Sequence, residues 1–256
     1  MATPPPTLYG WQNEPLPFTM AVPLNAPKAV GVVFPGAAYT QDRPLCTIAK
    51  DVMVAAGAEV ILSTRYYGMD PKLSALTGDD REACLATDSG GYARGAFTRA
   101  AGKPVLLAGK SIGTTALAHA LTQVPDLVAG WSVWLTPLWK DEAVFKAIAT
   151  AGARAYVLIG TADPQWDPAI LEALNKKAMK VAKSLPTVKV VDGADHGMSV
   201  AGNPVATAAV LTELRPALAA HFAAAMAAAA AAGTAVGAPA SGTTPPGTTT
   251  TPTPTP

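Results

Sequence analysis

The sequence predicts an α/β fold, a mostly parallel central sheet with helices on both faces. Three observations carry this. Short apolar runs recur along the chain, uninterrupted rather than alternating, as strands buried on both faces require. Stretches with apolar residues at helical spacing separate them, and strand–helix alternation over nearly the whole length means a covered parallel sheet. Glycine, proline and aspartate cluster where the apolar runs end.

The first stretch, Leu8 to Leu24, carries Pro15, Pro17 and Pro23, which permits short edge strands but no helix. Ala29–Phe34 is a buried strand ending in the turn Pro35-Gly-Ala-Ala-Tyr39. A helix follows, with Leu45, Ile48, Ala49 and Val52 on one face and Gly57 at its close. Glu59–Ser63 is the next strand. Asp79 to Thr87 is helical in composition, Ser89-Gly90-Gly91 interrupts it, and Tyr92 to Ala100 resumes, as one broken helix or two. Val105–Ala108 is a strand, and Ile112 to Leu121 a helix with Gly113, Ala116 and Ala120 on a close-packing face. Leu127 to Leu135 reads as a strand, Asp141 to Ala151 as a helix and Arg154–Gly160 as a strand. Asp167 to Leu185 reads as a helix with Ile170, Leu174 and Val181 toward the core and Lys176, Lys177, Lys180 and Lys183 on a solvated face. Val188–Val191 is the last strand and Pro204 to Phe222 the closing helix.

With 256 residues, half of them hydrophobic, the chain can bury one large core. We expect one domain over residues 1–222. Residues 223–256 form an alanine-rich helical extension and a disordered Thr/Pro-rich tail, a tract that buries no core. Ala217 to Ala232 is short and only weakly apolar for a membrane span, and His221 interrupts it. Nineteen basic and eighteen acidic side chains give a net charge of +1, which excludes a global field for nucleic acid or an anionic membrane and favours a small-molecule partner. The start, Met1-Ala-Thr-Pro-Pro-Pro-Thr, lacks the charge and apolar core of a secretory signal, so a cytoplasmic location is expected. Cys46 and Cys84 are read as two free, buried thiols. His119, His196 and His221 stand at no metal-ligand spacing, and neither a metal nor a cofactor is expected.

The chemistry concentrates at Gly109-Lys110-Ser111-Ile112-Gly113, a G-x-S-x-G between a strand and a helix. A serine held there must take a strained conformation that lifts its hydroxyl above the sheet, and its flanks must lack side chains for the turn to close. Functional groups in such sheets gather beyond the carboxyl ends of the strands. Four turns qualify: Pro35 to Tyr39, the Ser111 turn, Thr161-Ala-Asp163-Pro164 and Gly193-Ala-Asp195-His196-Gly197. They hold Ser, Asp and His in that chain order. A serine hydroxyl is a poor nucleophile at neutral pH, so a histidine must take its proton and a carboxylate must set the tautomer. Asp163, Asp167 and Asp195 all compete for the carboxylate role. Asp163 stands at a strand end, Asp167 suits a helix N-cap, and Asp195 adjoins His196, where neighbouring side chains point apart.

Gly109–Gly113, Gly160-Thr-Ala-Asp163 and Asp195-His196-Gly197 together resemble the α/β-hydrolase superfamily over residues 8–222. The resemblance implies an eight-stranded sheet or a reduced form of it, with Ser111 as nucleophile, His196 as general base and Asp163 orienting the imidazole. It also implies an oxyanion hole from the Ile112 N–H and a second donor in Phe34–Tyr39, for which Ala37 is the candidate, although that loop departs from the His-Gly forms of many lipases. Only Thr136–Lys140 occupies the place where the family builds a lid, so the cap is minimal or absent. Tyr39, Trp134, Trp139 and Trp166 are candidates for an apolar pocket wall, and ordinary core residues explain them equally well. His119 is read as a helix-face residue. The expected function is a serine hydrolase of small or medium carboxylic esters or related acyl bonds. The alternatives are an acyltransferase with the same triad or a noncatalytic binding protein.

Overall fold

The computed structural model describes residues 6–236; the Thr/Pro-rich tail expected to be disordered lies outside the described residues from residue 237 on. Strands are β1 (Phe18–Ala21), β2 (Ala29–Phe34), β3 (Ala58–Ser63), β4 (Val105–Lys110), β5 (Trp131–Leu135), β6 (Ala155–Gly160) and β7 (Thr187–Val191). Helices are α1 (Pro44–Ala55), α2 (Pro71–Ser74), α3 (Gly78–Ala100), α4 (Ile112–Gln123), α5 (Glu142–Ala151), α6 (Pro168–Val181) and α7 (Pro204–Val236). Among the described residues they build a seven-stranded sheet, order β1-β3-β2-β4-β5-β6-β7, one strand fewer than the eight expected from the resemblance. Every pairing is parallel except that of β1 with β3 at the edge.

β2, β3, β4 and β6 are buried along their whole length, so alternate residues serve two separate cores. Val30, Val32 and Phe34 of β2 pack with α3–α6 on one face, while Ala29 and Val33 pack with α1 and α7 on the other. Cys46 belongs to the α1/α7 core and Cys84 to the opposite one; both are free and buried.

The structure corrects several element assignments. Ser89-Gly90-Gly91 does not interrupt α3, which runs unbroken for 23 residues. The small residues there serve close approach: a Cβ on Gly91 would stand 2.3 Å from the Tyr9 carbonyl oxygen. Leu127 to Leu135 is not one strand. Pro125, with its fixed φ, starts a 3₁₀ turn over Pro125–Ala129, and its buried Leu127 accounts for the apolar pattern. Val181 is 45% exposed rather than core-facing, because α6 ends there. α7 passes residue 222 without a break, and Ala225 lies in the core with Leu214, Leu218 and Phe222. By length and composition alone Pro204–Ala232 could cross a membrane, and a core helix meets the same criterion.

A buried carboxylate ties the N-terminal arm to this frame. Asp88 on α3 is fully buried and accepts hydrogen bonds from the Trp11 N–H (2.7 Å), Arg65 Nε (3.0 Å) and the Tyr67 hydroxyl (3.1 Å). Burial of an ionised group is tolerable only with such pairing.

Candidate active site

The turn after β4 is where the sheet delivers Ser111. Its backbone takes φ 55° and ψ −122°, a strained region for any residue with a side chain, and α4 starts at the next residue. Two glycines make the turn possible. A Cβ on Gly109 would lie 2.3 Å from the Gly113 carbonyl oxygen, and one on Gly113 would lie 2.2 Å from that of Phe34. The Ser111 N–H donates to the Leu135 carbonyl (3.1 Å), extending the β4–β5 ladder by one residue and so fixing the turn against β5.

Ladder extension also places the other two loops. The Thr161 N–H donates to Val191 (2.9 Å) and the Ala162 N–H to Ala194 (3.0 Å), which stitches the loop after β6 to the loop after β7. Asp163 and His196 meet across this seam. The Asp163 side chain is fully buried, with Oδ1 accepting from the Gln165 N–H and Oδ2 facing His196 Nδ1, both at 2.8 Å. His196 Nε2 lies 2.8 Å from Ser111 Oγ, and the imidazole is 33% exposed. An ionised carboxylate only accepts, so Nδ1 carries the proton and Nε2 offers its lone pair to the serine hydroxyl.

The competing carboxylates stand elsewhere. Asp167 caps α6 by accepting from the Ala169 N–H (2.8 Å). Asp195 Oδ1 accepts from the Gly197 (2.7 Å) and Ser199 (2.9 Å) N–H groups and shapes the histidine turn. His119 on α4 pairs with Glu82 on α3 at 2.9 Å, away from the relay.

Ile112 is the first residue of α4, where backbone N–H groups have no intrahelical acceptor and the helix dipole favours negative charge. Ala37 lies in the loop after β2, whose end pairs with Gly109. Its carbonyl accepts from the Gly68 N–H (3.1 Å), which sets the orientation of the loop.

The aromatic candidates separate. Trp134 and Trp139 are 0% and 1% exposed, so neither presents a wall to a substrate. The Trp134 indole donates to Ser132 Oγ (2.9 Å), and that of Trp139 donates to the Gln165 carbonyl (2.6 Å), bracing the Asp163 loop. Trp166, half-buried, packs on Trp139 with ring centroids 6.1 Å apart. Tyr39 is turned toward α1, its hydroxyl accepting from the Leu45 N–H (3.0 Å). A cavity of about 1230 Å³ opens elsewhere, lined by Tyr9, Glu59, Arg94 and Lys103 among others, and includes none of the relay residues.

Sequence reading missed two neighbours of the relay. Thr136, the residue after β5, is fully buried, sits at φ 46° despite its branched Cβ, and its Oγ1 has no partner among the described residues. Lys110, inside the motif itself, is only 4% exposed. A lysine immediately before the serine on a strand buried on both faces was the available signal for the second.

No protein-family model and no curated protein sequence matches the chain. Solved structures do. An α/β serine hydrolase without lid from Xanthomonas campestris superposes with a TM-score of 0.55 at 18% identity, covering 84% of this chain and 91% of that one. An α/β serine hydrolase homologue from Coxiella burnetii gives 0.60 at 16% identity, covering 86% and 97%. A propionate-bound thermophilic esterase from the Planctomycetes species Thermogutta terrifontis gives 0.56 at 16% identity, covering 83% and 92%. The shared sheet and its helices extend over more than four fifths of the chain in each case, and the protein has the α/β-hydrolase fold.

Proposed function

We propose that the protein is a serine hydrolase that cleaves small or medium carboxylic esters or related acyl bonds through an acyl-enzyme on Ser111. The observation that carries this reading is the continuous relay from Asp163 through His196 to Ser111, with both links at 2.8 Å and the serine in a strained turn. In the acylation step His196 Nε2 takes the hydroxyl proton as Ser111 Oγ attacks the acyl carbon, and Asp163 stabilises the imidazolium. The Ile112 and Ala37 N–H groups receive the oxyanion. Collapse expels the alcohol, which takes the proton from His196. Water then attacks the acyl-enzyme with His196 as base, releasing the carboxylic acid and restoring the serine. The short connection supports the small or medium substrate class: only residues 136–141 join β5 to α5, too few for a lid. A lidless hydrolase and a propionate-bound esterase among the structural neighbours favour the same class.

A fluorophosphonate probe tests the reading, because an activated serine attacks its phosphorus. We expect labelling of the folded protein and none of Ser111→Ala or of heat-unfolded protein. A folded wild type that stays unlabelled while a control serine hydrolase reacts would overturn it. On p-nitrophenyl esters of increasing acyl length, we expect the rate to peak at short or medium chains.

A further inference from the structure

Lys110 has no part in the relay, yet its side chain is buried. Strand alternation explains the direction: Gly109 faces α4, so Lys110 points to the other side of the sheet, toward α1. Burial strips an ammonium of its water, and among the described residues no carboxylate lies within 4.0 Å to replace it. What Nζ meets is the face of Tyr39, 4.7 Å from the ring centroid. Tyr39 ends the loop that carries Ala37, and it is anchored twice, its carbonyl accepting from the Gly36 N–H (3.0 Å) and its hydroxyl from the Leu45 N–H. The aliphatic stem of the lysine supports the same loop. A Cβ on Gly36 would stand 3.2 Å from Lys110 Cδ and 2.8 Å from Tyr39 Cβ.

We propose that Lys110 is a positioning residue whose ammonium, seated on the Tyr39 ring, sets the Pro35–Tyr39 loop against the Ser111 turn so that the Ala37 N–H meets the oxyanion. The proposal rests on the serine-hydrolase reading. An aromatic face attracts an ammonium and not a neutral amine, so the loop is held while Nζ keeps its proton. Burial lowers the Lys110 pKa to about 8, against the pull of Cys46, Asp163 and Asp195. The groups facing it are Tyr39 from the loop, Cys46 from α1, Asp163 from the loop after β6 and Asp195 from the loop after β7. Burial pushes Tyr39 and Cys46 up to about 12, so of these three it is Lys110 that changes charge first on the alkaline side of neutrality.

The test is kcat and KM on p-nitrophenyl acetate from about pH 6 to 10 for wild type, Lys110→Met, Lys110→Arg, Tyr39→Phe and Tyr39→Leu, with fluorophosphonate labelling and circular dichroism on each. We expect wild-type kcat to fall above about pH 8, Lys110→Met to lie about 10²-fold lower at pH 7 with no alkaline fall, and KM to stay within about twofold. Lys110→Arg restores kcat and moves the fall to higher pH. Tyr39→Phe keeps the fall, and Tyr39→Leu loses it. A folded Lys110→Met with wild-type kcat, or with the same alkaline fall, overturns the proposal. Should Lys110→Met fail to fold, a Tyr39→Leu that retains wild-type kcat overturns it instead. Wild type that labels and turns over while the variants are unmoved refutes the Lys110 role alone; wild type that neither labels nor hydrolyses refutes the serine-hydrolase reading and this proposal with it.

Discussion

Replacing Asp163 by asparagine changes one oxygen to an NH₂ group and nothing else in size. In the folded protein Oδ1 is committed to the Gln165 N–H, a donor, so the asparagine oxygen must stay there and its NH₂ must face His196. A donor at Nδ1 forces the imidazole proton onto Nε2, which then points an N–H at Ser111 Oγ and can no longer accept the serine proton. We expect kcat to fall by up to roughly 10⁴-fold, about 5.4 kcal/mol of transition-state stabilisation at 1.36 kcal/mol per decade. Among the described residues the carboxylates of Asp167 and Asp195 accept only backbone N–H groups, a duty asparagine performs as well, so Asp167→Asn and Asp195→Asn should stay within about tenfold of wild type. The assay is kcat on p-nitrophenyl acetate, with circular dichroism and thermal melting showing each variant folded. A folded Asp163→Asn within tenfold of wild type would refute the assigned tautomer logic, as would Asp195→Asn proving the crippling change.

Two further outcomes concern stability. Gly109→Ala or Gly113→Ala drives a Cβ to within 2.3 Å of a backbone oxygen that no rotamer can move, so we expect a loss of at least about 1–3 kcal/mol in urea denaturation. His221 is packed among Trp131, Tyr156 and Phe222, and burial lowers its pKa to about 4, below its ordinary value. The unfolded chain therefore binds its proton first. The contribution is complete above about pH 6.5 and is lost as pH falls toward 4, on the order of 3 kcal/mol. Chemical denaturation of wild type and His221→Phe across that range should show the dependence weakened in the variant; equal slopes would refute it.

The central strands were legible because burial on both faces leaves few residues besides apolar ones. Ala29–Phe34 is β2 to the residue, and β4 was found as far as Ala108. The Ser111 turn, Asp163 and His196 were legible for a related reason: a parallel sheet gathers loops at one end, and each of the three follows a recognisable strand. What failed were features whose cause is tertiary. Gly90 and Gly91 read as a helix breaker because the approach of Tyr9 to α3 leaves no trace nearby in the sequence. Trp134 and Trp139 read as pocket candidates because a sequence shows that an indole is near a strand end, not which way it turns. Lys110 stood only as the unspecified second position of the motif, since the Tyr39 ring that receives its ammonium comes from a loop about seventy positions earlier.

Asp88 also constrains when the chain can close. Its partner Trp11 lies 77 positions away, and β1 pairs with β3, so these two locks on the N-terminal arm come from residues made later. On a ribosome the arm is synthesised before α3 and must wait for it. Contacts of such separation are slow to form, because the loop entropy is lost before the bond is gained. The Phe18–Ala21 segment is an unpaired strand until β3 is made, and until α3 follows Arg65 and Tyr67 lack the carboxylate that joins them in the finished molecule. The order of synthesis and the order of securing thus run opposite ways here: the arm is held by a residue 77 positions later.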